Sequence, residues 1–316
     1  MFQLPNVRTD PDGIFLRWEA LAVGYSDRDL ARAVKGRVLH RVRHGAYVAM
    51  ETWRELTELE RHSLTALAVL RQARTDVVLS HTTAAVHHGA PVWDLPLQEV
   101  HVTRRDGRTG RREAGISQHR RLLRPDDVQA GHPPVTGPTR TALDLTTIAD
   151  VEHCLPVFDY LLHAKLTTKS QLRAEACFLE QTPGSLATDL TISLADGRRA
   201  SVGESRTSHL LWGSGLPMPE PQVHVYDERG DLVGIVDFAW PELKVFLEFD
   251  GKEKYLKFRR EGESVVDAVL REKKREERIC RLTGWRCIRI TWADLYRPAE
   301  TIAYLRSVLA GGPAHY

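Results

Sequence analysis

The segment at residues 234–254, GIVDFAWPELKVFLEFDGKEK, constrains the fold more than any other part of this chain. Two apolar runs flank the pair Pro241-Glu242, which is typical of a tight turn, so the segment predicts a β-hairpin. In that hairpin Asp237 lies roughly opposite Glu248, and Asp250 shares a face with Glu248 because side chains alternate along a strand. An unpaired carboxylate is costly in such apolar surroundings. The pattern therefore predicts that Asp237, Glu248 and Asp250 bind a divalent cation such as Mg²⁺, with solvent-facing carboxylates as the alternative.

These acids resemble the pattern of the PD-(D/E)XK nucleases, in which an Asp on one strand is followed by Glu-x-Lys on the next. The form WPE-x5-EFDG followed by a basic helix is similar to the Vsr-like branch of those enzymes. The resemblance covers roughly Gly203 to Leu309. It implies a restriction-endonuclease-like αβββαβ domain that hydrolyses phosphodiester bonds of double-stranded DNA with Mg²⁺ or Mn²⁺.

The order of predicted elements agrees with this resemblance. A helix carrying Glu204 comes first and is followed by strands near Gln222–Tyr226, Leu232–Trp240 and Leu243–Asp250, a helix near Ser264–Thr283, a strand at Trp285–Thr291 and a helix from Ala299. The resemblance implies that Glu204 is a further catalytic acid. Asp250 occupies the position of the motif Lys, so the positive charge falls to Lys252 or Lys254.

Residues 13–50 predict a winged helix-turn-helix. The predicted elements are helices at Ile14–Ala22 and Asp27–Lys35, the second with Ser26 as its N-cap, and strands at Arg37–Arg43 and Ala46–Ala49 joined at His44-Gly45 as a wing. Arg28, Arg32 and Lys35 share one helix face. We expect this face in the major groove of DNA, and Arg37, Arg41 and Arg43 of the wing region on phosphates or in the minor groove. An ordinary solvated basic face is the alternative.

The run VGYSDRDLARAVKGRVLHRVRHGAYVA within this segment resembles the N-terminal domain of AbiE-type abortive-infection antitoxins. The later run PVTGPTRTALDLTTIAD is again similar to that family. The resemblance implies binding to the protein's own promoter and, as a possible partner, a cognate toxin.

The middle of the chain predicts a mixture of helices and strands. Between two predicted strands lies the loop RRDGRTGRR, whose cations predict either a contact with phosphates without sequence preference or an ordinary solvated loop. These cations are Arg104, Arg105, Arg108, Arg111 and Arg112. His81 and His88 favour packing or surface roles, because two histidines without a third ligand rarely bind a metal. Residues 152–182 predict helix, and the polar, turn-rich run at 182–201 predicts a domain junction.

Composition limits the classes of protein that this chain can be. Its 316 residues indicate two or three domains. The net charge of +2 means that any nucleic-acid surface depends on local clustering of basic residues. No apolar run has membrane-span length, and the N-terminus lacks a signal-peptide pattern, so we expect a cytoplasmic protein. The four cysteines show no zinc-binding spacing.

We therefore predict an α/β multidomain protein with a winged helix-turn-helix at 1–55, an α+β antitoxin-like domain at 56–185 and an endonuclease-like domain at 186–316. Two functional hypotheses follow. The first is a DNA-binding, divalent-metal-dependent endonuclease. The second is an antitoxin-like transcriptional repressor whose nuclease fold is not catalytic, and a module that neutralises a toxin is a third possibility.

Overall fold

A computed structural model describes residues 12–108, 110–178, 185–251, 264–312 and 314. The predicted α/β class is confirmed, because the described residues form a mixture of helices with three β-sheets. They fall into two compact units, one made of Met1–Ala149 with Ser170–Pro183 and the other of Asp150–Lys169 with Gly184–Tyr316. Within the described residues, no helix is both long and apolar enough to cross a bilayer. The division into three domains at 55 and 185 stays a prediction.

The first unit begins with a small antiparallel sheet of order β1-β3-β2 and three helices. Its elements are β1 (Phe15–Leu16), α1 (Arg17–Ala22), α2 (Asp27–Lys35), β2 (Leu39–Arg43), β3 (Ala46–Ala49) and α3 (Met50–Glu55). The predicted bounds of α2 are confirmed, and Ser26 caps the helix by accepting the Asp29 amide at 3.3 Å. The predicted helix start at Ile14 was wrong, because Phe15 and Leu16 pair with β3 instead.

The rest of the first unit surrounds a six-stranded sheet of order β6-β7-β5-β4-β9-β8. Its elements are α4 (Glu58–Gln72), β4 (Val77–Leu79), α5 (His81–His87), β5 (Val100–Arg104), β6 (Arg112–Glu113), β7 (Ile116–Arg120), β8 (Val128–Gln129), β9 (Val135–Thr136) and α6 (Pro138–Leu145). The pairs β5/β7 and β4/β9 are parallel and the others antiparallel. Apolar side chains of α4 and the central strands, including Val69, Leu79 and Val102, form the core.

The prediction of helix over 152–182 is right for most of the described segment but wrong in its middle, where the helix is interrupted. The segment contains α7 (Val151–His163) and α8 (Lys169–Phe178), separated by a turn in which Lys165 has a φ of 56°. The prediction of a turn-rich run at 182–201 was also wrong in part, because Ser185–Leu194 forms α9. Its buried Thr191 and Ile192 explain why a polar sequence is helical here, since packing outweighs weak local propensity.

The second unit contains a sheet of order β10-β11-β12-β13 between helical layers. Its remaining elements are α10 (Val202–Gly213), β10 (Glu220–Tyr226), β11 (Leu232–Trp240), β12 (Val245–Asp250), α11 (Val265–Thr283), β13 (Arg286–Thr291), α12 (Trp292–Leu295) and α13 (Pro298–Leu309). Only the β12/β13 pairing is parallel among the described strands of this sheet. One face packs on α10, α12 and α13, and Ile279 of α11 packs on the other.

Candidate functional site

The predicted hairpin forms and brings two of its acids to matching positions. A turn at Pro241–Leu243 joins β11 to β12, and Lys244 closes it with a φ of 54°. The strand register pairs Phe238 with Leu247, so the next position along the two strands places Asp237 against Glu248. Since opposite residues of an antiparallel pair project from the same face, the two carboxylates lie on one face of the sheet.

Asp237 and Glu248 are almost completely buried and are held by different groups. The Asp237 Oδ2 atom accepts the amide of Phe249 at 2.8 Å, across the hairpin. The Glu248 Oε1 atom accepts a hydrogen bond of 2.9 Å from Nη2 of Arg275 on α11. Arg275 also donates to the Ile235 carbonyl at 3.0 Å and pairs with Glu272.

The acids around Arg275 stabilise the protonated, positively charged form of its side chain. Burial alone would lower its pKa, but the hydrogen bonds and negative charges of Glu272 and Glu248 hold the pKa of Arg275 above its ordinary value. The Glu248 carboxylate is therefore neutralised by a permanent cation that comes from a helix 27 positions later in the chain.

Asp250 is at the end of β12 and is less buried than Asp237 and Glu248. Its Oδ2 atom accepts from Nη1 of Arg289 at 3.2 Å, and Arg289 also pairs with Glu276. Asp250 and Arg289 belong to the parallel strands β12 and β13, where Glu248 is registered with Arg289. This acid is consequently tied to the neighbouring strand.

Glu204, near the start of α10, is the fourth acid of the predicted set. Its carboxylate accepts from Ser201 Oγ at 2.7 Å, Gln222 Nε2 at 2.8 Å and the Ala200 amide at 3.0 Å. Burial, followed by the negative charge of Asp237, raises the pKa of Glu204 against these hydrogen bonds. The negative charge of Asp237 therefore acts on Glu204, although the two residues lie on different elements.

The four acids offer the carboxylate oxygens that Mg²⁺ prefers, but no three of them have ligand atoms within 4.8 Å of one another in the described part of the chain. A bound cation would offset part of the negative charge that Glu204, Asp237 and Glu248 carry into their buried surroundings. The ion pairs of Glu248 and Asp250 with arginines relieve part of it already. The metal-binding roles stay predictions, and Lys252 and Lys254 lie outside the described residues.

The predicted DNA-binding residues near the N-terminus lie on the surface of the first unit. Arg28, Arg32 and Lys35 of α2 are exposed, as are Arg37 and Arg41, whereas Arg43 is half-buried. Burial lowers the pKa of Arg43. Arg32 lies 3.4 Å from Asp29 of the same helix, an exposed pair that contributes little to stability. The helix therefore presents its cations outward while Leu30 faces the core.

The predicted arginine loop divides into two groups. Arg105 pairs with Asp76 and Arg112 with Glu99 at the base of the loop, both as exposed ion pairs. Arg104 is buried and forms a bidentate pair with Asp106, with bonds of 2.9 and 2.5 Å. Two of these ion pairs are at the base of the loop, and the pair of Arg104 with Asp106 lies within it.

Four guanidinium groups line a cavity of about 670 Å³ at this loop, namely those of Arg104, Arg108, Arg111 and Arg120. Sequence reasoning missed Arg120, which is registered with Arg104 across the parallel strands β5 and β7. A pairing of strands that are not joined by a hairpin leaves no local pattern in the sequence. The loop is therefore a concentrated positive site with at least one contributor from outside the RRDGRTGRR run.

A cluster of histidines was also missed. His81 at the start of α5, His101 on β5 and His119 on β7 are, within the described ranges, the only group of three or more His, Cys, Asp or Glu side chains whose ligand atoms lie within 4.8 Å of one another. His88, which the sequence paired with His81, instead bonds the Thr136 carbonyl at 2.8 Å. Burial lowers the pKa of His101 and of His119 to about 4 and that of His81 well below its usual range. All three imidazoles are therefore neutral near pH 7.

No protein-family model matches the chain. It is 26% identical over 168 residues to two curated proteins of Mycobacterium tuberculosis, "Uncharacterized protein Rv2248" of strain H37Rv and "Uncharacterized protein MT2308" of strain CDC 1551 / Oshkosh. The aligned region covers 53% of this chain and 58% of each relative, so the chain spans a little over half the length of the curated relatives it matches. This similarity is to proteins whose names state no activity.

Proposed function

We propose that this chain is a DNA-binding protein whose second unit is a divalent-metal-dependent DNA endonuclease of the PD-(D/E)XK type, similar to the Vsr-like branch. The observation that carries this proposal is the acid cluster on one sheet: Asp237 and Glu248 at matching positions of the hairpin, Asp250 two residues on and Glu204 from the preceding helix. The element order of helix, three antiparallel strands, helix and parallel strand supports the same family.

In this proposal Asp237, Glu248 and Asp250 would hold Mg²⁺ or Mn²⁺, with Glu204 close by. A bound divalent cation supplies charge stabilisation at the phosphate and lowers the pKa of an attacking water. Gln222 and Ser201 orient the Glu204 carboxylate, and the raised pKa of that acid suits it to accept or return a proton. The Phe249 amide fixes Asp237 in its rotamer.

The first unit would supply DNA binding through a winged helix-turn-helix, with α2 as the groove-facing helix and β2 and β3 as the wing. Support comes from the exposed cations of α2 and from the turn at His44-Gly45 between the two strands. The arginine-lined cavity adds a site for backbone phosphates, where Arg binds well because of its planar fork of donors.

The second candidate function is an antitoxin-like transcriptional repressor, in which the nuclease fold of the second unit is not catalytic. Two observations favour it: Asp250 stands at the position of the motif Lys, and Arg275 and Arg289 already neutralise Glu248 and Asp250. Under this alternative the acids and arginines form a structural ion-pair network. Its partners would be operator DNA and a possible cognate toxin protein.

The test is incubation of the purified full chain with supercoiled plasmid and Mg²⁺ or Mn²⁺, with EDTA as the metal-free control. Glu248→Gln removes one acid without changing side-chain size. Glu242→Gln is the matched control, because Glu242 is exposed on the turn of the same hairpin.

Metal-dependent nicking or linearisation by the unmodified protein and Glu242→Gln, lost in Glu248→Gln, would support the endonuclease. Absence of cleavage by every form, together with salt-sensitive DNA binding in a gel shift, would overturn it in favour of the repressor.

A further inference from the structure

The three histidines His81, His101 and His119 come from three separate elements of the first unit. His101 and His119 lie on neighbouring parallel strands, where His119 is registered with Thr103, two residues beyond His101 on the same face. The Nδ1 atom of His101 lies 2.9 Å from Nε2 of His119. The ring of His81 stacks on that of His119 with centroids 3.7 Å apart.

We propose that His81, His101 and His119 bind a transition-metal ion of the Zn²⁺ class at a site distinct from the carboxylate cluster of the second unit. Imidazole nitrogens suit Zn²⁺, Co²⁺, Ni²⁺ and Cu²⁺, whereas Mg²⁺ selects oxygen ligands. This site is independent of the endonuclease, because its ligands lie in the other unit.

The spacing of two of the three nitrogens is close to what a metal requires, and the ligand atoms of all three residues lie within 4.8 Å of one another. Two ligands on a tetrahedral Zn²⁺ with Zn–N bonds of about 2.0–2.1 Å lie roughly 3.3 Å apart. His101 Nδ1 and His119 Nε2 are 2.9 Å apart, where one shared proton joins them. Replacing that proton by a metal needs the two nitrogens to separate by a few tenths of an ångström. It also needs the two rings to turn, because the nitrogen lone pairs must then converge on the metal instead of pointing at each other.

His81 is held in place as metal-binding histidines usually are, through its second ring nitrogen. Its Nδ1 atom lies 2.9 Å from Ser80 Oγ, and Thr103 Oγ1 donates to the same Ser80 oxygen at 2.8 Å. This fixed contact leaves Nε2 of His81 as the nitrogen that would face the metal. Its backbone is also set to an unusual conformation, with a φ of 51° at the first residue of α5.

The arginines near the histidines lie beside carboxylates that offset their positive charge, so these arginines do not prevent a metal ion from binding. Arg140 pairs with Asp127 and Asp144 at 2.9 Å each, and Arg121 lies 3.9 Å from Asp144. The Asp144 Oδ2 atom is buried and has no hydrogen-bond partner among the described residues. Asp144 is linked to the site because its carbonyl accepts from Thr147, whose Oγ1 lies 3.5 Å from His81 Nε2.

Access to the site comes from the side of His119. His81 is completely buried and His101 nearly so, whereas His119 is half-buried at the edge of β7. A metal bound by three imidazoles would therefore keep one position for water or an exogenous ligand, as sites with three protein ligands do.

The experiment uses the full chain without an affinity tag, stripped by a chelator and titrated first with Co²⁺ and then with Zn²⁺ in competition. We expect one equivalent of Co²⁺ to give visible ligand-field bands that Zn²⁺ abolishes. In His119→Gln the affinity for Co²⁺ should fall by at least about 100-fold, exceeding the roughly 10–100-fold effect of losing an outer partner.

His87→Gln is the matched control because His87 is exposed on the same helix as His81, and it should bind Co²⁺ normally. Millimolar Mg²⁺, which selects oxygen ligands, should not displace the bound Co²⁺, and this separates the histidine site from the carboxylates. His101→Gln is the second ligand variant, and circular dichroism identifies any variant that does not fold. Co²⁺ affinities of folded His119→Gln or His101→Gln within about threefold of the unmodified chain would overturn the proposal, as would the absence of ligand-field bands in the unmodified chain.

Discussion

At the scale of single residues, the second unit is defined by buried charges whose partners come from distant parts of the chain. Glu248 meets Arg275, and Asp159 of α7 meets Arg199 at 3.2 Å. A buried ion pair is weak evidence for stability. Removal of one partner nevertheless destabilises the fold, because it leaves the other charge buried without a counter-charge. These pairs therefore give sharp single-residue tests.

Arg275→Gln should destabilise the second unit by about 2–4 kcal/mol, because it leaves the Glu248 carboxylate buried beside Asp237 without its cation. If the acids bind a divalent cation, millimolar Mg²⁺ should restore part of that stability in the variant and have a smaller effect on the unmodified chain. Urea unfolding with and without Mg²⁺ measures both quantities.

Arg278→Gln is the control for this change, since Arg278 lies on the same helix and forms an exposed pair with Asp227. Its stability should change by well under about 1 kcal/mol. An equal gain from Mg²⁺ in all three proteins would argue against metal binding at the acids.

The raised pKa of Asp159 predicts that the stability of the folded chain depends on pH in the acid range. Burial raises its pKa from 3.8 to about 6, against the attraction of Arg199 and the hydrogen bonds of Ser205 and Asp196. Between those values the folded chain binds this proton more than the unfolded chain does. The contribution of Asp159 to stability therefore falls as pH rises from about 4 to 6.

The stability of the unmodified chain relative to Asp159→Asn should consequently drop by about 2 kcal/mol between pH 4 and pH 7. Urea unfolding at several pH values measures this difference. Asp189→Asn, an exposed change on α9, should run parallel to the unmodified chain. A difference between Asp159→Asn and the unmodified chain that does not vary with pH would contradict the assignment.

At the scale of elements, α10 and β12 approach each other too closely for any side chain at Gly203. A Cβ there would lie 2.0 Å from Cε1 of the Phe249 ring, which is itself buried in the sheet core. Gly203→Ala should therefore destabilise the chain by about 1–3 kcal/mol. Gly213→Ala at the other end of α10 has no atom within 4 Å of its added Cβ and should be neutral or stabilising.

Urea unfolding of the two alanine variants tests this packing. The same variants probe the acid cluster, because Gly203 precedes Glu204 and Phe249 lies between Glu248 and Asp250 in the chain. A Gly203→Ala variant as stable as Gly213→Ala would show that the helix and strand are not in close contact.

Elements with local signals were predictable from the sequence, and those fixed by distant contacts were not. Ser26 and Asp29 mark the start of α2, and Gly284 ends α11 with a φ of 68°, so both helices were placed correctly. The hairpin was visible because its turn and its alternating acids lie within one segment. By contrast, β1 forms only by pairing with β3, and α9 is helical because it packs on α7.

The candidate sites show the same division. The sequence suggested the four acids but not their pairing with Arg275 and Arg289, which reach them from a later helix and strand. It assigned His81 a packing or surface role and did not single out His101 and His119, since parallel pairing of β5 and β7 has no signature in chain order. Side chains of one residue type can be recognised in a sequence, whereas the partners that neutralise or orient them depend on the fold.

At the scale of the whole molecule, DNA binding and cleavage would belong to different units, so the two should be separable. Arg28→Ala with Arg32→Ala should weaken binding to all DNA sequences and reduce the salt slope of the binding constant by about 1 for each phosphate that these side chains no longer neutralise. Glu248→Gln should leave metal-free DNA affinity unchanged while abolishing cleavage. Gel shifts across a salt series, beside the plasmid assay, measure both effects.

Arg54→Ala controls for the removal of one exposed cation outside the proposed surface of the first unit. Similar weakening by Arg54→Ala and by the α2 variants would indicate general electrostatic attraction rather than docking of that helix.

The assignment of α7 to the second unit has a consequence for how this chain can be divided or recombined. The chain passes from the first unit to the second near residue 150, returns near 170 and passes again near 184. A single cut after α9 would leave α10 without α7, whose Leu155 and Phe158 are completely buried. Exchange of either half with another gene at one crossover would therefore divide a hydrophobic core, so an exchange that keeps each unit whole needs more than one crossover.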